Sequence, residues 1–210
     1  METNKKEFRP LIQDTSKFMP VKQIFAGFEI EKRQLLLTVE QDHTKNKNGS
    51  VIYDEVLRDG VTIEQGYVKD ITQAVKLLKK LKIDINTGDF KPNTIRIRRF
   101  GEGYKSKKIS PYKYVLTLKD RKETKKREAE FKLSSQQFET YWPWTEGARV
   151  IKKRLKKKIK GFEFEIDAFT DRFLLIAECE VKKEKDMENV PKMGMDITNL
   201  KDWSNKALSR

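Results

Sequence analysis

The chain holds one cysteine, Cys179, and one histidine, His43. A single cysteine excludes an internal disulfide and a cysteine-built metal cluster. A single histidine excludes a histidine-rich zinc site and argues against a Ser-His triad. His43 stands in the polar segment 41–50, where a surface position is expected. No run approaches the roughly 18 apolar residues of a membrane span. The N-terminus is charged and lacks the apolar core of a signal peptide. These absences point to a reducing, cytoplasmic setting, with no membrane among the partners.

Charge is what the chain has in quantity. Charged residues make up 37% of its 210 positions and the formal net charge is +14. That balance favours a partner rich in phosphate, whether nucleotide, polyphosphate or nucleic acid. Aromatic residues at 10%, with regular apolar alternation, argue for a folded domain. Residues 1–25 read as a polar N-terminal arm and 26–210 as one domain.

Period-two alternation predicts strands at 24–40, 51–58, 61–68, 94–98, 113–119, 126–133, 148–158, 161–169 and 173–182. Asp59-Gly60 is a hairpin signal between the second and third of these. Helical spacing over Ile71, Val75, Leu78 and Leu81 predicts one helix. Ser134 or Ser135 caps a second, carrying Phe138 and Tyr141, and a last short helix is expected near 199–208. The expected class is α+β, mainly antiparallel β, with about eight strands and few helices.

Strand after strand carries one charged face. At the head of the first, Glu29, Glu31 and Arg33 share a face. Arg96 and Arg98 do likewise, as do Thr117 and Lys119. So do Lys126, Glu128 and Glu130; Lys152, Arg154 and Lys156; Glu163, Glu165 and Asp167; and Glu178 and Glu180. Cys179 falls on an apolar face, as a buried inert thiol. Two architectures give this pattern. In one, the sheet buries its apolar face and shows salt-bridged charges to water. In the other, it closes with the charged face inward and helices cover the apolar face. The second would gather carboxylates able to bind a hard divalent cation beside guanidiniums able to bind phosphate.

The order of these motifs is similar to that of the CYTH family, also called triphosphate tunnel metalloenzymes. Glu29-x-Glu31-x-Arg33 resembles its entry motif, with arginine where the family has lysine. Gln65-Gly66-Tyr67, Arg96-x-Arg98, Thr117-Leu118-Lys119, Glu128-x-Glu130, Lys153-Arg154, Asp167-Ala168-Phe169, Glu178-x-Glu180 and Ser204-Asn205-Lys206-Ala207-Leu208 follow in the family's order. The resemblance implies a closed eight-stranded β-barrel with a few flanking helices, whose tunnel takes a triphosphate-containing small molecule: inorganic triphosphate, ATP or thiamine triphosphate. It implies one or two Mg²⁺ or Mn²⁺ ions on Glu29, Glu31, Glu178 and Glu180, with Glu130 and Asp167 as further ligands. Arg33, Arg96, Arg98, Lys119, Lys126, Lys152 and Arg154 would hold phosphate oxygens. Glu29, Glu31 and Arg33 would be catalytic, the metal positioning or acidifying a water for in-line attack on the terminal phosphorus. The implied activity is a metal-dependent triphosphatase. A class IV adenylate cyclase and a non-catalytic triphosphate binder are the alternatives. Nucleic-acid binding through the lysine-rich stretches near 105–108, 119–127 and 152–160 is the weaker reading beside a solvated surface, and a homodimer is left open.

Overall fold

The computed structural model describes residues 22–37, 47–83, 91–101, 112–122 and 125–209. The elements in chain order are β1 (Lys22–Glu29), β2 (Glu31–Leu37), α1 (Lys47–Asp59), β3 (Val61–Tyr67), α2 (Ile71–Lys80), β4 (Thr94–Phe100), β5 (Lys113–Lys122), β6 (Lys125–Leu133), α3 (Ser135–Tyr141), β7 (Arg149–Ile159), β8 (Phe162–Phe169), β9 (Leu175–Glu180) and β10 (Met195–Asp196). Short 3₁₀ turns follow α3, β9 and β10. The segment 1–21 and residue 43 lie outside the described residues, so the arm and His43 are not placed; β1 opens at Lys22.

All strands join one antiparallel sheet in the order β1-β6-β5-β4-β3-β7-β8-β9-β2-β10. The antiparallel sheet expected above is present, and closure of the barrel is not shown by its ladders. Among the described residues the ladders leave two ends, at β1 and at β10. The reason lies in the first strand, expected as one run over 24–40 but interrupted at Ile30. Its first half pairs with β6 and its second half with β9. Only Ile30 separates these halves, although they sit at opposite regions of the sheet order. Chain continuity therefore forces the sheet to curl until its ends approach.

A second correction concerns residues 51–58, expected as a strand and found in α1. Tyr53 and Val56 are both buried against the sheet. Three residues apart, they share a face in a helix and would point opposite ways in a strand. Asp59-Gly60 accordingly ends a helix instead of turning a hairpin. The Gly60 N–H donates to Val56 O at 2.9 Å. A Cβ there would fall 2.4 Å from that oxygen, so the close approach requires glycine. A two-residue hairpin turn is formed by Lys160-Gly161 between β7 and β8, with both φ values positive (48° and 87°).

The helices settle which architecture holds. Leu77, Leu78 and Leu81 of α2 and its C-terminal end, with Phe138 and Tyr141 of α3, pack on Ile95, Ile97, Leu116, Leu118, Ala129 and Phe131. Across the sheet, Tyr53 and Val56 of α1 pack on Phe164, Ile166, Ala177 and Cys179. Asp70 caps α2 by accepting from the backbone of Thr72 and Gln73. Ser134 and Gln137 form a capping box on α3. The apolar face of the sheet is thus the outer, helix-covered one, and the charged face turns inward. Trp142 stacks on Phe138 at 4.9 Å and Trp144 meets Tyr141 at 5.2 Å. Cys179 is fully buried.

Candidate functional site

The inward faces of β2 to β9 surround a cavity of about 710 Å³. Register explains why so many charges meet there. In β4, β5 and β6, Arg96 lies opposite Thr117, which lies opposite Glu130, and Lys119 lies opposite Glu128. On the other side, Arg33 of β2 lies opposite Glu178 of β9, which lies opposite Glu165 of β8. Glu31 lies opposite Glu180, and Arg154 opposite Asp167. Residues directly opposite in an antiparallel pair share a face, so each row adds side chains to one cavity.

The contacts form two networks. In the first, Arg96 donates to Glu128 at 3.2 Å and to Thr117 at 3.3 Å, Arg98 pairs with Glu130, and Lys119 stands 2.5 Å from Glu128. In the second, Arg154 donates through Nε and one terminal nitrogen to both oxygens of Asp167, each at 2.6 Å. It also reaches Glu178 at 2.9 Å and pairs with Glu165. Lys152 pairs with Asp167 and donates to Asn205 Oδ1 at 2.9 Å. Arg33 stands 3.7 Å from Glu31. The Nε atoms of Arg33 and Arg98 are buried and make no hydrogen bond, an arrangement that leaves donors for an anion.

Burial and neighbouring charge set the proton affinities. Desolvation pushes Lys152 down to about 8, outweighing the pull of Asp167. Burial, reinforced by the like charge of Arg96, lowers Arg98 to about 10. Burial opposes the charge of Arg154 too, but Asp167 and Glu178 overcome it and raise its affinity for the proton. Burial likewise works against ionised Glu130, yet Arg98 and Arg96 hold it below the ordinary carboxylate range. Asp167 is held down by Arg154 and Lys152 against the same penalty.

Of the residues expected from sequence, Glu31, Arg33, Arg96, Arg98, Lys119, Glu130, Lys152, Arg154, Glu178 and Glu180 all line the cavity. Asp167 does not line it. It is buried behind Arg154 and Lys152, tying the two cations together. Glu29 and Lys126 are opposite each other in the β1–β6 ladder, and their side chains lie outside the described residues. Other residues of the wall were left out of the expected site, among them Glu128, Glu165, Ser204 and Asn205. Glu128 and Glu165 share parity with Glu130 and Asp167, and that parity was the available signal. Ser204 and Asn205 enter from the C-terminal segment, where no strand periodicity could show an inward direction.

Among the described residues no three carboxylates, thiols or imidazoles form a ready-made metal group. The donor chemistry nevertheless suits a hard divalent cation. Glu31 with Glu180, and Glu178 with Glu165, are like charges directly opposite across ladders. Such pairs are destabilising by themselves, and oxygen-only ligands match Mg²⁺ or Mn²⁺.

A curled antiparallel sheet that turns interleaved carboxylates and guanidiniums into one cavity defines a protein built to hold a polyanion. Comparison with known proteins agrees. No family model matches the chain. An inorganic triphosphatase of Nitrosomonas europaea is 35% identical over 102 residues, which span 46% of this chain and 68% of that protein. A crystal structure of an inorganic triphosphatase is 27% identical, covers 86% of this chain and 93% of the other, and superposes with a TM-score of 0.46. A candidate adenylate cyclase of Bacillus halodurans is 12% identical over 78% of this chain and 86% of its own, with a TM-score of 0.45. The superpositions are too loose to bear on function; the sequence match carries the assignment. The chain belongs to the CYTH, or triphosphate tunnel, family.

Proposed function

We propose that the protein is a metal-dependent hydrolase of inorganic triphosphate or a small organic triphosphate. One observation carries the reading: Arg33, Arg96, Arg98, Lys119, Lys152 and Arg154 converge on a single cavity with carboxylates set among them. A plain anion binder gains nothing from acids beside its ligand. The activity named for the Nitrosomonas relative supports the substrate class.

Glu31, Glu178 and Glu180, joined by Glu29, would hold Mg²⁺ or Mn²⁺, which when bound offsets phosphate charge and acidifies water. The protein's own side chains do the rest. Arg96 and Arg98 suit two-point recognition of phosphate oxygens, with the free Nε of Arg98 available. Thr117 accepts from both guanidiniums at 3.3 Å and so fixes their spacing. Glu128 and Glu130 compensate these cations before substrate arrives, which keeps buried positive charge tolerable. Lys152 and Arg154, held by Asp167, stabilise charge that develops on the departing and transferred groups.

The test is incubation of the purified protein with inorganic triphosphate, ATP and thiamine triphosphate, with Mg²⁺ or Mn²⁺ and then with EDTA. Products are resolved by phosphorus NMR. Orthophosphate release that stops on chelation is the expected result, and the fastest substrate names the class. Pyrophosphate with cyclic AMP from ATP would make it a cyclase. Tight triphosphate binding without turnover would make it a binder.

A further inference from the structure

Arg33 occupies the position at which the family's entry motif carries lysine, and its surroundings differ from those of the other cavity cations. Its two terminal nitrogens donate to backbone carbonyls of the C-terminal segment: Thr198 O at 2.8 Å and Trp203 O at 3.3 Å. Its own backbone continues the attachment. Arg33 N donates to Thr198 Oγ1 at 3.1 Å, and Ile197 N donates to Arg33 O at 2.9 Å. The neighbouring Gln34, almost fully buried, accepts from Met193 N and Gly194 N and donates to Pro191 O. Trp203 and Leu208 then pack on Leu35, Val150, Phe169 and Ile176. Ser204 and Asn205 are left facing the cavity, with Asn205 on Lys152. Arg96, Arg98 and Arg154 by contrast meet carboxylates or Thr117.

We infer that Arg33 is a positioning residue: its guanidinium clamps residues 198–203 to β2 and so sets Asn205 against Lys152 as the cavity's C-terminal wall. A planar fork can span two carbonyls five residues apart. The point charge of a lysine would satisfy one of them. Its buried Nε makes no hydrogen bond and stands 3.7 Å from Glu31. The inference takes the triphosphatase reading as its frame for activity, and part of its test is independent of activity.

The first measurement is amide hydrogen exchange over residues 197–209 in the full chain without substrate, for wild type and Arg33→Lys. The clamp predicts exchange at least tenfold faster at Leu200, Trp203 and Ser204 in the variant, with the helix α2 unchanged as an internal standard. Equal exchange overturns the inference whatever the enzyme's activity. The second is a double-mutant cycle on hydrolysis of inorganic triphosphate with Arg33→Lys and Asn205→Ala. If Arg33 acts through Asn205, the double variant is no slower than Arg33→Lys alone. Losses that multiply would show Arg33 acting on phosphate directly and would overturn it. Should neither variant nor wild type turn over any triphosphate, the activity reading fails while the exchange result still decides the clamp.

Discussion

The two walls of the cavity carry opposite excesses. On β4, β5 and β6, three cations, Arg96, Arg98 and Lys119, face two carboxylates, Glu128 and Glu130. On β2, β7, β8 and β9, Arg33, Lys152 and Arg154 face or back onto Glu31, Glu165, Asp167, Glu178 and Glu180, with the mostly solvated Lys156 at the rim. The first wall has charge to spare for an anion. The second is short of positive charge, and its like-charged pairs stand directly opposite across two ladders. An anion alone suits only the first wall; an anion carried with a divalent cation suits both. Under the proposed function the first wall would take phosphate and the second a divalent cation, a division no single strand could show.

The largest effect is expected on the acidic wall. Glu178→Gln removes a proposed metal ligand and leaves Arg154 with Asp167 and Glu165, so the fold should persist. Loss of several kcal/mol of transition-state stabilisation corresponds to roughly a thousandfold in kcat. Triphosphate binding by calorimetry in EDTA should change little. Full activity in Glu178→Gln and in Glu31→Gln together would erase the distinction between the walls. A smaller loss, about a hundredfold or more in kcat/KM, is expected for Arg98→Met on the basic wall. That variant should weaken triphosphate binding with and without metal. Weakening only in the presence of metal would place the anion on the other side.

How much of this was legible depended on periodicity. Strand parity placed Arg96, Arg98, Lys119, Lys152, Arg154 and Glu178 on one face because a period of two leaves no choice once a strand is recognised. Parity cannot say whether that face is inside or outside. The family motifs decided it at the sequence level, and the leucines of α2 and the aromatics of α3 decide it in the structure. Residues 51–58 failed because the β-branched and aromatic residues Val51, Ile52, Tyr53 and Val56 read locally as a short strand, while the spacing of Tyr53 and Val56 is set by packing against a sheet the local sequence does not contain. The break at Ile30 failed for a similar reason. Both halves read as strand, and only their partners, β6 and β9, reveal that the run changes neighbours. The placing of Asn205 against Lys152, 53 residues away, and the grip of Arg33 on Thr198 and Trp203, 165 and 170 residues away, are beyond any local pattern.

Lys152 of the acidic wall gives the finest test of the division. It is buried, bound by Asp167 and Asn205, with a proton affinity lowered to about 8 from the ordinary 10.5. Only its protonated form attracts phosphate. As pH rises through about 8 in the free protein, triphosphate affinity should fall, at most tenfold per pH unit for one proton. Stability should move the other way. A folded-state affinity below the unfolded one means the unfolded chain binds the extra proton between about 8 and 10.5, so stability rises with pH across that window. Lys152→Met should flatten both trends relative to wild type, and the fold should tolerate it because Arg154 still grips both oxygens of Asp167. Parallel slopes in wild type and Lys152→Met, for binding by calorimetry or for melting temperature, would show that this proton is not released in the window and that Lys152 does not set the pH response of the acidic wall.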